Sequence, residues 1–87
     1  MSGKRYNKQE IPSEFKKMRA FIGGMLRQYR WEQDLTIKEA HELSGIHHRT
    51  ISRIENGESI SLTTLFHYLN FLGLEMTDIA FSYEEIE

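Results

Sequence analysis

A short run near the middle of the 87-residue chain places polar and basic side chains on one face of a predicted helix. The helix begins near position 47, and its outward face contains no acidic residue; it consists of His47, His48, Arg49, Ser52 and Arg53. Arginine can donate two hydrogen bonds to a guanine edge, serine can donate or accept, and histidine can approach a base or a phosphate. These residues are candidates for nucleic-acid contacts, and the alternative is an ordinary solvated helix surface.

The sequence lacks the residue spacings that are typical of catalytic sites and metal sites. The four histidines, at positions 41, 47, 48 and 67, have no carboxylate at a metal-ligand spacing to a pair of them. His47 and His48 are adjacent, so on a helix their side chains are expected to diverge by about 100°. The sequence contains no cysteine, no glycine-rich phosphate loop and no nucleophile elbow. We therefore expect neither an enzyme nor a bound metal or other cofactor.

Two short helices with a glycine turn between them are predicted to hold the basic face. Thr36 can cap the first helix, because Glu39 three residues later completes a capping box. Gly45 supplies the turn between the helices. The inward positions at helical spacing are Ile37, Ala40 and Ser44 in the first helix and Ile46, Ile51 and Ile54 in the second.

A long amphipathic helix is predicted before this pair. Pro12 and Ser13 can start it, and apolar residues recur at spacings of three and four to about residue 33. Gly23 and Gly24 lie in its middle, where each glycine costs about 1 kcal/mol relative to alanine. The pair therefore marks a kink, a break or a site of close packing. Residues 1–12 are basic and polar, and we expect either a flexible tail or an arm that lies along DNA.

The last third of the chain predicts one further full helix and a short one. Ser61 can cap the fourth helix, and Gly73 can end it. Its apolar stripe is Leu62, Leu65, Phe66, Leu69 and Leu72. A short fifth helix is predicted from Met76 to about Phe81, followed by an acidic tail over residues 82–87.

The charge of the chain is unevenly distributed along its length. Residues 1–57 contain all 11 Lys and Arg residues and seven of the 13 acids, which gives +4. Residues 58–87 contain the other six acids and neither Lys nor Arg, which gives −6. A net charge of −2 is low for a DNA-binding protein, but this asymmetry allows one face to meet phosphate while the C-terminal part stays acidic.

Length and hydropathy restrict the class of protein. With 39% hydrophobic residues, the chain makes one small domain of limited apolar burial, for which dimerisation is attractive. It contains neither the run of about 20 apolar residues of a membrane helix nor a leader resembling a signal peptide. We expect a cytoplasmic protein.

An ordered series of residues along most of the chain matches a known pattern. The series is Ile22-Gly23, Leu26 to Arg30, Leu35-Thr36, Gly45-Ile46, Thr50 to Gly57, Leu62, Leu65, Leu69, Leu72-Gly73-Leu74 and Asp78-Ile79. Residues 22–79 thus resemble the helix-turn-helix domain of the Cro and phage-repressor family, also called the Xre family. The resemblance implies an all-α, five-helix, lambda-repressor-like domain over residues 13–81. Residues 13–21 would form an N-terminal helical extension, with Phe15, Met18 and Phe21 packed on the domain or on a partner.

The resemblance also implies which residues contact DNA. The helix from about residue 47 would insert its N-terminal residues into the major groove. Arg49 is the first candidate for a base contact, and Arg53 for a base or a phosphate. The implied DNA-binding set is Thr36, His47, His48, Arg49, Ser52, Arg53 and Asn56, where the start of the preceding helix at Thr36 would hold a phosphate through backbone N–H groups.

Three further expectations come from the same resemblance. Arg30 and Glu55 would form a structural salt bridge between the first helix and the end of the third. His41 stands where the family has a small alanine, so it needs a hydrogen-bond partner or a wider helix spacing. The dimer interface would use the last two helices, with Phe71, Leu74, Met76, Ile79 and Phe81 as candidates, although completion of the monomer's own core is the alternative.

The function implied is regulation of transcription, most simply repression, by a homodimer bound to a palindromic operator in double-stranded DNA. A stand-alone Cro-like regulator, an antitoxin-type repressor and a restriction-modification controller all fit this description. The alternative is a helix-turn-helix scaffold that binds a protein such as a toxin, using Trp31 and the aromatic C-terminal half as its surface.

Overall fold

The computed structural model describes residues 13–75 and 77–78, and this part of the chain contains helices joined by turns and irregular segments, without strands. The helices are α1 (Ser13–Glu32), α2 (Ile37–Ser44), α3 (His48–Glu55) and α4 (Leu62–Leu72). The all-α class is therefore confirmed. The count of five helices is not supported, because the predicted fifth helix lies mostly outside the described residues, apart from the helical positions Thr77 and Asp78. No helix in the described part is long and apolar enough to cross a membrane.

Close packing explains the first of the two glycines in the middle of α1. The helix continues unbroken through both, and Gly23 is buried where α1 crosses the end of α3. A Cβ atom at Gly23 would lie 2.5 Å from the carbonyl oxygen of Ile54 and 2.6 Å from that of Glu55. Gly24 faces open space. Of the three alternatives for this pair, the structure has close packing, and only Gly23 requires it.

The core lies where α1, α3 and α4 meet, with α2 closing one side. Its buried apolar residues are Ile22, Leu26, Ala40, Ile46, Ile51, Ile54, Tyr68, Leu69, Leu72 and Leu74. The predicted inward face of the second helix is therefore correct at all three isoleucines. In the first helix of the pair Ala40 is fully buried, whereas Ile37 and Ser44 are half-buried.

One prediction about apolar positions needs correction, and for two others the structure favours one of the stated alternatives. In the α4 stripe, Leu62 is 64% exposed and Phe66 is 42% exposed, because α4 turns Tyr68 inward instead. Leu74, for which a dimer interface and the monomer's own core were the two alternatives, is 5% exposed and belongs to the core. In the N-terminal extension, Phe21 packs against the core, whereas Phe15 is 57% exposed, so packing on a partner stays the prediction for Phe15.

The C-terminal ends of α1 and α4 lie together. The side-chain Nε2 of Gln33, just after α1, donates a 2.9 Å hydrogen bond to the carbonyl oxygen of Leu72. Gly73, with φ of +86°, ends α4, and the backbone N–H of Leu74 bonds back to Leu69. The chain after α4 is thereby turned back against the core.

Candidate nucleic-acid interface

A complete capping box begins α2. The hydroxyl oxygen of Thr36 accepts a 3.0 Å hydrogen bond from the backbone N–H of Glu39, and the Glu39 carboxylate accepts a 2.8 Å bond from the Thr36 N–H. These bonds lower the pKa of Glu39, the backbone bond being the larger cause. Thr36 is exposed. The Thr36 hydroxyl can still donate a hydrogen bond to a phosphate. The ionised carboxylate of Glu39 lies beside it.

His41 holds the turn between α2 and α3. Gly45 has φ of +80°, in the left-handed region that glycine adopts without strain, and its N–H bonds to the carbonyl oxygen of His41. The His41 ring Nδ1 lies 2.8 Å from the carbonyl oxygen of Ile46, so Nδ1 carries the donated hydrogen. His41 stands where the family has a small alanine, and it thus has the hydrogen-bond partner that we expected this larger side chain to need.

The first turn of α3 is capped by a histidine. His47 is the N-cap, and its Nδ1 accepts a 3.1 Å hydrogen bond from the backbone N–H of Arg49. A neutral ring that accepts at Nδ1 carries its hydrogen on Nε2. The pKa of His47 is lowered by desolvation first, and then by repulsion from His48, His41 and Arg49. Nε2 of the His47 ring, on the side away from the cap, is therefore a hydrogen-bond donor.

The three histidines around this turn form a cluster, and the expected divergence of two of them was wrong. The rings of His47 and His48 stack with centroids 4.3 Å apart, and His41 lies 5.6 Å from each. The reason is that His47 precedes the helix as its cap and does not follow the helical 100° step. No group of histidines and carboxylates in residues 13–75 and 77–78 has the arrangement to hold a metal ion.

The polar face of α3 carries two arginines that differ in their hydrogen bonds and ion pairs. Arg49 is exposed in the first turn, and no hydrogen bond or ion pair with another described residue engages its guanidinium. Arg53, one turn later, bonds through Nε to Glu58 at 3.2 Å and through Nη2 to the carbonyl oxygen of Ser59 at 3.2 Å. His48 is exposed and Ser52 is half-buried on the same helix.

Arg27 was not among the predicted site residues, yet it organises the end of α3. Its Nη2 donates to the carbonyl oxygen of Glu55 at 3.0 Å and to Oδ1 of Asn56 at 2.9 Å. Asn56 therefore keeps its amide N–H₂ for an outside acceptor. The signal in the sequence was the three-residue spacing from Arg27 to Arg30, which places both on one helix face.

A buried network fixes α3 against α1 and α4. Arg30 donates to Glu55 through Nε to Oε2 at 2.8 Å and through Nη2 to Oε1 at 2.9 Å, so the expected salt bridge is present and bidentate. Nη1 of Arg30 donates to the carbonyl oxygen of Leu35 at 2.8 Å. Hydrogen bonding to Glu55 raises the pKa of Arg30.

Tyr68 completes this network and was missed by the sequence reasoning. Its hydroxyl donates to Oε2 of Glu55 at 2.6 Å, and the side chain is fully buried. Burial, followed by the bond to Glu55, raises the pKa of Tyr68. The position of Tyr68 three residues after Leu65 and four before Leu72 was the available sign that it faces inward. The network holds α3 rigidly with its polar face outward.

The comparison with protein families identifies this arrangement. The family described as helix-turn-helix matches residues 26–79, a segment that contains α2, the glycine turn, α3 and α4. The match covers more than half of the 87 residues. A comparison with curated proteins gave no match. The chain belongs to the Cro/C1-type, Xre-like helix-turn-helix family of DNA-binding regulators.

Proposed function

We propose that the protein is a sequence-specific transcriptional regulator that binds a palindromic operator as a homodimer and represses transcription. The family supports the DNA-binding regulatory role. The observation that carries the site assignment is Arg49, which is exposed in the first turn of α3 and engaged by no other described side chain. A guanidinium in this position needs no rearrangement before it meets a guanine edge.

The N-terminal turn of α3 is assigned to base reading. Arg49 donates to O6 and N7 of a guanine, while the Nε2–H of His47 points away from its cap and donates to a base acceptor or a phosphate. His48 and Ser52 flank this contact on the same face of α3. These residues lie on a helix anchored by a buried ion pair, so their positions are fixed before DNA binds.

Phosphate contacts are assigned to the residues around this turn. Arg53 has to leave Glu58 and the carbonyl oxygen of Ser59 to reach DNA. This costs little because both side chains of the ion pair are 52% exposed and the Ser59 contact also lies at the surface. The amide of Asn56 donates to a phosphate while its carbonyl stays on Arg27. Thr36 and the N-terminus of α2 take a further phosphate.

Dimerisation would place two copies of α3 in successive major grooves, with half-sites about 34 Å apart. Of the residues predicted at the interface, Phe71 is half-buried and remains available for it, whereas Leu74 is withdrawn because it is in the core. Met76, Ile79 and Phe81 lie outside the described residues and stay predictions.

Selection of bound duplexes from a random DNA pool, at two salt concentrations, tests this function. An enriched palindrome with two spaced half-sites is the expected result, with affinity that falls as salt rises because phosphate contacts release counterions. Binding without sequence enrichment would contradict the proposal. It would direct attention to the protein-interaction alternative, for which the 56% exposed Trp31 is the obvious contact residue.

A further inference from the structure

A cleft opens between α2 and the start of α3. It has a volume of about 530 Å³, and the residues that line it are Ile37, Lys38, His41, Glu42 and His48. His48 belongs both to this cleft and to the first turn of α3, the turn proposed above for base reading. DNA that meets this turn therefore lies at the mouth of the cleft, where contacts to the phosphate backbone fix the position of a protein on the duplex.

The two charged residues of the cleft have opposite signs. Lys38 and Glu42 stand four residues apart on α2, and both are exposed. The ion pairs among the described residues involve neither of them. Lys38 lies in the first turn of α2, at the end of the helix where the backbone dipole favours an anion. Its ammonium is therefore available to a phosphate, and the carboxylate of Glu42 opposes that contact.

The turn between α2 and α3 fixes the tautomer of His41. Nδ1 of the ring donates to the carbonyl oxygen of Ile46 at 2.8 Å, so a neutral ring has its lone pair on Nε2. A further proton on Nε2 leaves the Nδ1 hydrogen bond intact and makes Nε2 a donor. His41 can therefore gain a positive charge without losing a hydrogen bond.

The other two rings of the histidine cluster differ from His41 in this respect. Nδ1 of His47 accepts the backbone N–H of Arg49, so a proton on that nitrogen breaks the cap. His48 makes no such bond, but it is exposed, and solvent there screens its attraction to a phosphate. His41 is half-buried, where screening is weaker. Of the three rings, His41 gains most from an anion in the cleft.

Neighbouring charges disfavour protonation of the cluster when no anion is present. The ring centroid of His41 lies 5.6 Å from those of His47 and His48. Desolvation, and then repulsion from the two neighbouring rings and from Arg49, lowers the pKa of His47. A charge on one ring therefore opposes a charge on the others. A phosphate reverses this balance, because an opposite charge within about 4–6 Å favours the charged form of a histidine.

We propose that the cleft holds a phosphate of the DNA backbone between Lys38 and His41, and that His41 takes up a proton from solvent as the phosphate enters. The inference rests on the proposed DNA-binding function and adds two contact residues to it. Protonated Nε2 of His41 donates to a phosphate oxygen. DNA binding and protonation then strengthen each other by the same factor, so DNA is held more tightly at lower pH.

Isothermal titration calorimetry in two buffers of different ionisation enthalpy measures this uptake. The full chain is titrated with the duplex that the selection enriches, or with a mixed-sequence duplex of the same length at low salt if none is enriched. Uptake of about half a proton per subunit is expected at about pH 7, with an affinity gain of about three- to fivefold per subunit between about pH 7.5 and about pH 6. DNA binding without uptake would overturn the inference and leave the DNA-binding function standing. Absence of binding to either duplex would overturn both.

Histidine variants assign the proton to one ring. His41→Asn keeps an amide donor near the position of Nδ1 and removes Nε2, so it is expected to lower the uptake at least twofold. His67→Asn is the matched control, because it removes an exposed histidine of α4 outside the cleft, and it should leave the uptake in place. Loss of uptake in this control would indicate a general charge effect and overturn the inference. Uptake that persists in His41→Asn and disappears in His48→Asn would overturn the assignment to His41.

Two exposed residues test the phosphate site without changing a ring. Lys38→Ala is expected to weaken binding to both duplexes and to lower the salt dependence by about one phosphate contact per subunit. Glu42→Gln is expected to strengthen binding about two- to fivefold, because it removes an exposed charge that repels the phosphate. Lys17→Ala, exposed on α1, is the control for loss of positive charge alone. Binding by Lys38→Ala that equals that of Lys17→Ala at every salt concentration would overturn the site, even if His41→Asn does not fold.

Discussion

The hydroxyl of Tyr68 and the Nε of Arg30 bond to the same carboxylate oxygen of Glu55, at 2.6 Å and 2.8 Å. Arg30 and Glu55 are 5% and 3% exposed, so this oxygen is shared away from solvent. The arrangement joins α1, α3 and α4 through one carboxylate. The orientation of α3, the helix proposed to face DNA, therefore depends on a buried carboxylate.

Replacing Glu55 by Gln is expected to destabilise the protein by about 3–5 kcal/mol, because it leaves the Arg30 guanidinium buried without a counter-charge. The free energy of unfolding, measured by urea titration, checks this. Glu58→Gln is the matched control, since that glutamate pairs with Arg53 at the surface, and it should change stability by no more than about 0.5 kcal/mol.

Equal effects of these two variants would show that the buried pair is not a structural anchor. If Glu55→Gln does not fold at all, Tyr68→Phe tests the same network with a smaller loss of stability. It removes one hydrogen bond to a charged group, for which the expected loss is about 1.5–3 kcal/mol.

The two adjacent glycines of α1 should respond in opposite directions to the same substitution. Gly24→Ala is expected to stabilise the protein by about 1 kcal/mol, because its Cβ would meet open space and alanine favours a helix. Gly23→Ala is expected to destabilise it by about 1–3 kcal/mol, because its Cβ would press on the backbone of α3. Thermal unfolding of the two variants beside the parent measures both. A gain in stability from Gly23→Ala would contradict the close packing of α1 against α3.

Local signals in the sequence were sufficient for the helix-turn-helix pair, and long-range packing accounts for what they missed. The capping box at Thr36 and the turn at Gly45 are interactions between near neighbours, so residue type and spacing reveal them. Arg27 and Tyr68 act on residues 28 and 13 positions away, and only the packing of whole helices shows those partners. The choice between core and interface for Leu74 stayed open for the same reason, because sequence does not show which face the chain after α4 turns inward.

Family position was sufficient to propose the first turn of α3 for DNA contact, but it did not reveal the hydrogen bonding within that turn. His47 acts as an N-cap through its ring nitrogen, a role that serine, threonine, asparagine and aspartate usually take. Its stacking on His48 follows from that non-helical cap conformation. Residue type alone did not reveal a titratable cap at the N-terminus of α3.

The His47 cap predicts a pH dependence of stability. The pKa of His47 is lowered from its ordinary value of 6.5, so the unfolded chain binds the proton more readily than the folded one. Stability from this group is then complete above pH 6.5 and decreases as pH falls below that value toward the folded-state pKa. Protonated Nδ1 can no longer accept the Arg49 N–H.

His47→Asn supplies a cap that does not titrate. The melting temperature of this variant, relative to that of the parent, is expected to rise as pH is lowered from about 7.5 to about 5.5. His67→Asn, at an exposed position on α4 away from this turn, is the matched control for replacing a histidine by asparagine. A constant difference between His47→Asn and the parent across this range would show that the ring does not titrate as a cap.

Arg49 and Arg53 should differ in what their loss does to DNA binding. Arg49→Ala is expected to weaken binding to the selected operator by about 1–3 kcal/mol and to relax the preference at one base pair of each half-site, because a bidentate base contact is removed. Arg53→Ala should weaken binding to all sequences more evenly and lower the salt dependence by about one phosphate contact per subunit, because that arginine leaves a surface glutamate to meet the backbone. Fluorescence anisotropy titrations with operator and scrambled duplexes at several salt concentrations separate the two effects.

Lys17→Ala, a basic residue exposed on α1, controls for loss of positive charge alone. If Arg49→Ala lowered affinity for operator and scrambled DNA equally, Arg49 would be a phosphate contact and the base-reading residue would have to be sought at His48 or Ser52.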